Sequence, residues 1–304
     1  MTSVAGTALA PGKVRVKKTS AMRGHRSRLA LVNAVPVTVF LLVLFVYPII
    51  GVLSLSLKGD SGGFTLHWYA DALSGVNLSV LLSTLRISAE TAVLSLLVGF
   101  VLAHAIARMR PVFAALAMLI VVVPHFISAL VRTYGWIIML GEHGLINSLA
   151  TSVHAPGAPY SLLYNETGVV IGTTSVMLPY TVLVLQGVMR GVDGRLLAAA
   201  AGFGASRLTI FRRIYLPLVA PGIGTAGLLS FILCLGYYIT PALMGGDKQT
   251  VVAALIDQQV MKQDQWNSAA AFGVILLLLT FAGLGVLGLA KLRRTKAHAR
   301  RSSS

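Results

Sequence analysis

An all-α membrane protein with six transmembrane helices is the fold class this sequence predicts, and three observations predict it. The chain of 304 residues is 56% hydrophobic and only 11% charged, with a mean hydropathy of +0.81. A water-soluble domain carries roughly 25% charged residues, so a chain this poor in charge has lipid as its main solvent. Six segments reach the span of about 20 apolar residues that a bilayer crossing needs. The basic residues also alternate along the chain as the positive-inside rule requires.

The first 29 residues are polar and basic, with no apolar periodicity, and are expected to form a disordered cytoplasmic tail. The membrane domain is expected over residues 30–290. Its spans are read at Leu29–Leu57, Val80–Ala107, Val112–Leu140, Gly168–Met189, Leu218–Leu243 and Ala269–Ala290. The first is too long for a signal-peptide core and reads as a retained anchor. Pro179, Pro241 and Gly236 predict breaks in spans four and five, and Pro124 a kink in span three. The outer loops Asp60–Ser79 and Gly141–Thr167 each have room for a short interfacial helix. A second basic cytoplasmic tail occupies residues 291–304.

With the N-terminus assigned to the cytoplasm, 20 of the 25 Lys and Arg residues fall on the inner side. Only Lys58, Lys248 and Lys262 fall outside, and Arg86 and Arg132 lie within spans. Among the acids only Asp193 lies inside. A five- or seven-span map would scatter these charges, so the termini are both placed in the cytoplasm. The net charge of +16 then reports topology, and nucleic acid is not an expected partner.

Several function classes are excluded. The one cysteine, Cys234, permits neither an internal disulfide nor a cysteine metal site. No phosphate-binding GxxxxGK[ST] loop occurs, and GGDKQT at Gly245–Thr250 has the wrong spacing. No catalytic constellation, cofactor site or metal site is predicted, so energy from a nucleotide must come through a partner.

The most informative segment is the basic loop Arg190–Pro221 between two apolar spans. Leu196–Ala201 favours helix, Gly202 and Gly204 flank Phe203 and interrupt it, and Ser206 is placed to cap a second helix over Arg207–Tyr215. Leu208, Phe211 and Tyr215 are spaced as one apolar stripe, and Pro217 is expected to end the segment. Two readings are open from the residues alone, an interfacial helix on anionic lipid and a docking element for a cytoplasmic partner.

This loop resembles the coupling loop of ATP-binding-cassette importer permeases. Their pattern is EAA, three residues, Gly, nine residues, then Ile-x-Leu-Pro. Ala199, Ala200, Gly204, Ile214, Leu216 and Pro217 match it, while Ala198 stands where the family has Glu. In the family that carboxylate helps anchor the loop to the ATPase, so the resemblance implies docking through shape and apolar contact in place of that salt bridge. The resemblance covers about 77–289, with the coupling loop over 190–217. It is nearest to the spermidine/putrescine-type permeases, through the text at Leu130–Leu149, VMLPY at Val176–Tyr180, APG at Ala220–Gly222 and YYITPALMGG at Tyr237–Gly246.

The resemblance implies a type I importer permease in a bacterial inner membrane. It implies as partners a dimer of cytoplasmic ATPases, a second homologous permease and an extracytoplasmic solute-binding protein. The chain then supplies half of a translocation path for a polyamine or related small amine. An opine, ferric iron or another small solute is the alternative within the class, and an ion-coupled secondary carrier the alternative outside it. Polar groups inside spans are costly and point to function. The candidates for a solute path are Glu90, Arg132, Trp136, Tyr237, Tyr238 and Asp257. An acid beside aromatic rings suits an amine cation. Arg86 and Glu90, four residues apart, have a mutual ion pair as their simpler reading. Arg132 is expected to snorkel outward or to hold a carboxylate. His104 reads as interfacial, and His125 as a candidate path residue.

Overall fold

The structure, a computed structural model, describes the backbone of residues 21–59, 62–246 and 249–301, and side chains over 35–59, 62–246, 249–286 and residue 288. It divides into two units, Met1–Gly51 and Val52–Ser304. Helix α1 (Ala21–Ser56) contributes the described part of the first unit. Its side chains from Val35 to Ile50 are exposed, and Val35–Ser56 is apolar enough to cross a membrane.

Among the described residues the second unit is helical, apart from one isolated antiparallel bridge between Lys58 and Phe64. Its shorter elements begin with α2 (His67–Ala72), which sits in the first predicted outer loop. Trp68 Nε1 donates to Lys58 O at 3.0 Å and Tyr69 OH to Ser56 Oγ at 2.7 Å, which folds that loop back on the end of the first span. Then come α3 (Gly75–Arg108), α4 (Pro111–Val122), a tight 3₁₀ turn (Val123–Phe126), α5 (Ala129–Leu140), α6 (Leu145–Ser152) in the second predicted outer loop, and α7 (Glu166–Arg190). The chain continues through α8 (Gly194–Gly202), α9 (Arg207–Ile210), a π turn (Phe211–Tyr215), α10 (Leu216–Leu235), α11 (Ile239–Met244), α12 (Val252–Gln263) and α13 (Trp266–Arg301). Helix α1 thus begins inside the first predicted tail and α13 runs into the second. Residues 1–20 and 302–304 of those tails lie outside the described residues.

The core is built by α3, α7 and α10. In lipid, where water does not drive apolar faces together, close contact depends on small residues and interhelical hydrogen bonds. Both are present here. A Cβ on Gly99 of α3 would stand 2.8 Å from Thr181 Cγ2 of α7, and one on Gly222 of α10 would stand 2.7 Å from Val188 of α7. Between these contacts Thr181 Oγ1 and Ser230 Oγ share a buried hydrogen bond of 2.7 Å that joins α7 to α10. Val182, Leu185 and Val219 are fully buried in the same core.

Among the described residues five helices are long and apolar enough to span a membrane, and a bent pair counted as one span makes six. Two predicted spans need correction. The third is not one helix: the runs Pro111–Phe126 and Ala129–Ser152 meet at 104°. Pro124 has no N–H to continue the ladder, and Ile127 is extended. The fifth, predicted to run to Leu243, ends at Leu235: it breaks at Gly236, where a break was expected, and the chain goes on into the separate α11. The predicted break at Pro179 does not occur. Helix α7 runs through it, because packing against α3 and α10 holds the strand of backbone bonds on either side.

Candidate coupling loop and solute cavity

The loop begins at Asp193, whose Oδ1 accepts from Arg195 N at 2.8 Å and caps α8. At the other end of α8 the backbone closes a Schellman turn. Ala205 N donates to Ala200 O at 3.1 Å and Gly204 N to Ala201 O at 3.0 Å, with Gly204 at φ +80°. A Cβ on Gly204 would meet nothing within 4 Å. The glycine is therefore required by its left-handed backbone and not by crowding. This turn is the reason Ala200 and Gly204 stand four residues apart.

Past the turn, Ser206 Oγ accepts from Thr209 N at 3.2 Å and caps α9 as predicted. Pro217 does not end the segment, contrary to expectation. Helix runs without interruption from Arg207 to Leu235. The π turn supplies the physical reason: Leu216 N reaches back five residues to Phe211 O, and the widened turn absorbs the donor that Pro217 lacks. The second loop helix is consequently one rod with α10.

The predicted apolar stripe divides. Tyr215 is buried and Phe211 half-buried, but Leu208 is exposed. Tyr215 OH hydrogen-bonds His104 Nδ1 of α3 at 2.9 Å. The His104 ring stacks on Phe100 and meets Phe211 and Tyr215 edge-on. Sequence reading missed this clamp; the spacing of Phe100 and His104, four apart on one helix face, was its only signal. Of the predicted coupling residues, Ala198, Ala199, Gly204, Leu216 and Pro217 are exposed, and Ala200 and Ile214 are half-buried. Phe203, at the tip of the turn, is 93% exposed.

The six solute-path candidates do not converge. Glu90 pairs with Arg86 Nε at 3.0 Å, as the simpler reading expected, and the same Nε also meets Glu166 of α7 at 2.8 Å. Arg132 meets no carboxylate among the described residues. Its Nη1 donates to Pro124 O at 3.3 Å and His125 O at 3.4 Å, covering carbonyls freed at the break in the third span. His125 Nε2 in turn hydrogen-bonds Tyr180 OH of α7 at 2.9 Å. Trp136 Nε1 donates to Ser175 Oγ at 2.8 Å. Tyr237 packs beside Val176, Met177 and Cys234, with its hydroxyl 3.2 Å from Thr240 Oγ1.

Tyr238 and Asp257 do share a site. They line one cavity of about 450 Å³ between α11 and α12, with Thr250, Gln258 and Lys262. Thr84 Oγ1 of α3 accepts from Val252 N at 2.8 Å and ties the start of α12 to the core. No group of acids, histidines and cysteine suited to a metal ion occurs among the described residues.

Comparison with known proteins places this architecture. The chain is 29% identical over 216 residues to the spermidine/putrescine transport system permease protein PotB of Haemophilus influenzae, covering 70% of this chain and 76% of that one. It is 30% identical to PotB of Salmonella typhimurium, with 71% and 75% covered. It is 29% identical over 210 residues to the molybdenum transport system permease protein ModB of Mycobacterium tuberculosis, with 69% and 77% covered. The fold is similar to that of a chain in the crystal structure of a bacterial alginate ABC transporter in complex with alginate pentasaccharide-bound periplasmic protein. There the TM-score is 0.70 at 18% identity, with 90% of this chain and 96% of that chain covered. Residues 95–293, which hold the Schellman turn, the helical rod and most of the core, match the pattern of the binding-protein-dependent transport system inner membrane component family, and the chain belongs to that family.

Proposed function

We propose that the chain is a permease subunit of an ATP-driven polyamine importer, with spermidine or putrescine as its solute class. The observation that carries this reading is the loop: a Schellman turn presents Phe203 to solvent, and the following helix enters the membrane as one rod with α10. Force applied at the turn moves α10 without a hinge between. Ala198, Ala199, Ala200, Gly204, Ile214, Leu216 and Pro217 form the docking segment for a cytoplasmic ATPase dimer, in which hydrolysis resides. With Ala198 in place of a carboxylate, Phe203 and Leu208 provide apolar contact. A second permease completes the path, an extracytoplasmic binding protein delivers the solute, and both termini face the cytoplasm.

The polyamine assignment is supported by the PotB relatives and by the cavity that Asp257 and Tyr238 both line. A carboxylate next to an aromatic ring attracts an ammonium group by charge and through the ring face. Lys262 at the same cavity disfavours a cation there, so Asp257 is the group on which amine recognition depends. Two measurements test the proposal. Tagged chain isolated from native membrane should bring with it an ATPase, a second permease and a solute-binding protein that binds spermidine. Asp257→Asn should lower spermidine uptake by the reconstituted importer about tenfold with the solute-stimulated ATPase still present. A chain isolated alone, or amine uptake unchanged by D257N, defeats the corresponding half of the reading.

A further inference from the structure

A second cavity, of about 390 Å³, lies where the last turn of α3 meets the loop. Its polar lining is His104, Arg108, Arg207 and Tyr215. Leu197 of α8, with Ile210 and Phe211, supplies apolar walls. The volume falls in the range of small-molecule sites, about 300–1,000 Å³. Among the described residues no carboxylate lines it. The loop's own acid, Asp193, is occupied in capping α8. Arg108 and Arg207 are exposed and make no ion pair among the described residues.

We propose that this cavity binds a phosphate-bearing anion. Two guanidinium groups from different segments approach one concave space, and a guanidinium donates to phosphate oxygens in pairs. His104 is oriented by its bond to Tyr215 and by three aromatic neighbours, so one ring nitrogen is engaged and the other remains for a ligand. The apolar walls suit the carbon substituent of a phosphate ester. An anion held by Arg108 of α3 and Arg207 of α9, against Leu197 of α8, joins the loop to the core at both of its helices. On the importer reading, such an occupant would brace the coupling loop, and its chemistry is shared by an anionic phospholipid headgroup and by a soluble phosphate.

The test uses the full chain, purified in nonionic detergent and stripped of lipid. It is titrated by calorimetry with inorganic phosphate and, separately, with short-chain phosphatidylglycerol. Saturable binding at one site per chain is expected, weakened about tenfold by Arg108→Gln or Arg207→Gln, each removing charge-assisted bonds. Arg195→Gln, on α8 and outside the cavity lining, should bind as the parent does. Phosphatidylglycerol binding that phosphate displaces identifies a lipid source, and saturation by phosphate alone identifies a soluble one. Absence of saturable binding by either probe, or equal binding by the R108Q and R207Q chains, overturns the proposal and leaves the cavity to an acidic side chain of a partner. Binding is read on the chain alone, so its failure is distinct from failure to co-isolate an ATPase.

Discussion

Pro124 and Pro217 both sit in apolar helical sequence, and their surroundings give them opposite consequences. At Pro124 the ladder stops, a 3₁₀ turn intervenes and the chain bends by 104°. At Pro217 helix continues from Arg207 to Leu235. Loss of one N–H donor is common to both. The difference lies in what receives the freed carbonyls and what packs beside them. A π turn accommodates Pro217, with Tyr215 anchored to His104 on its inner side. At Pro124 no helix continues, and the Arg132 guanidinium covers the carbonyls of Pro124 and His125 instead. A broken span gives the permease a bend held by the hydrogen bonds of Arg132 and His125, whereas the loop and α10 share an unbroken backbone.

The largest effect on this comparison should come from Gly204→Val. A β-branched residue in the left-handed region costs roughly 1–2 kcal/mol locally, enough to open the Schellman turn. ATP-driven uptake in proteoliposomes should fall at least about tenfold, with membrane insertion near normal. Parental uptake by G204V would separate the turn from coupling. Next comes Arg132→Ala. Its two long hydrogen bonds to carbonyls are worth about 1–2 kcal/mol together, so thermal unfolding in detergent should move to lower temperature, and a spin-label distance across the bend should broaden. An unchanged distance distribution would mean that Pro124 and His125–Tyr180 hold the bend unaided.

Tyr215→Phe should cost about 1 kcal/mol, the value of one part-buried hydrogen bond, and its measurement is the same unfolding midpoint. The ring packing against Phe211 is retained, so a much larger loss would mean the hydroxyl organises more than His104. The smallest effect belongs to Pro217→Ala. The π turn already removes the need for this donor, and stability should change by less than about 0.5 kcal/mol. A large gain on removing Pro217 would show that the rod is strained there, and the contrast with Pro124 would lose its basis.

Sequence patterning goes far for elements with a strong local signal. The loop's two helices around Gly204 and the Ser206 cap are set by neighbours within four residues, and they form where the pattern places them. The Arg86–Glu90 pair is likewise local, whereas its extension to Glu166 needs α7 beside α3. Short helices in both outer loops follow from interfacial residues and room. Candidate path residues fare differently. Glu90, Arg132, Trp136 and Tyr237 are polar or aromatic residues in apolar runs, and each finds a structural partner that lies on another turn or helix. Tyr238 and Asp257 share a cavity, because the break at Gly236 turns α11 toward α12.

Taken by itself, the sequence determined the solvent, the number of crossings and the family, since hydropathy, charge alternation and the Gly204-to-Pro217 spacing are properties of order along the chain. Tertiary structure alone decided which prolines break a helix, which tyrosine faces a cavity and which histidine is clamped. Each of those outcomes depends on a hydrogen-bond partner or a packing surface distant in sequence. His104 and Tyr215 are 111 residues apart and 2.9 Å apart in space, and no periodicity along the chain encodes that meeting.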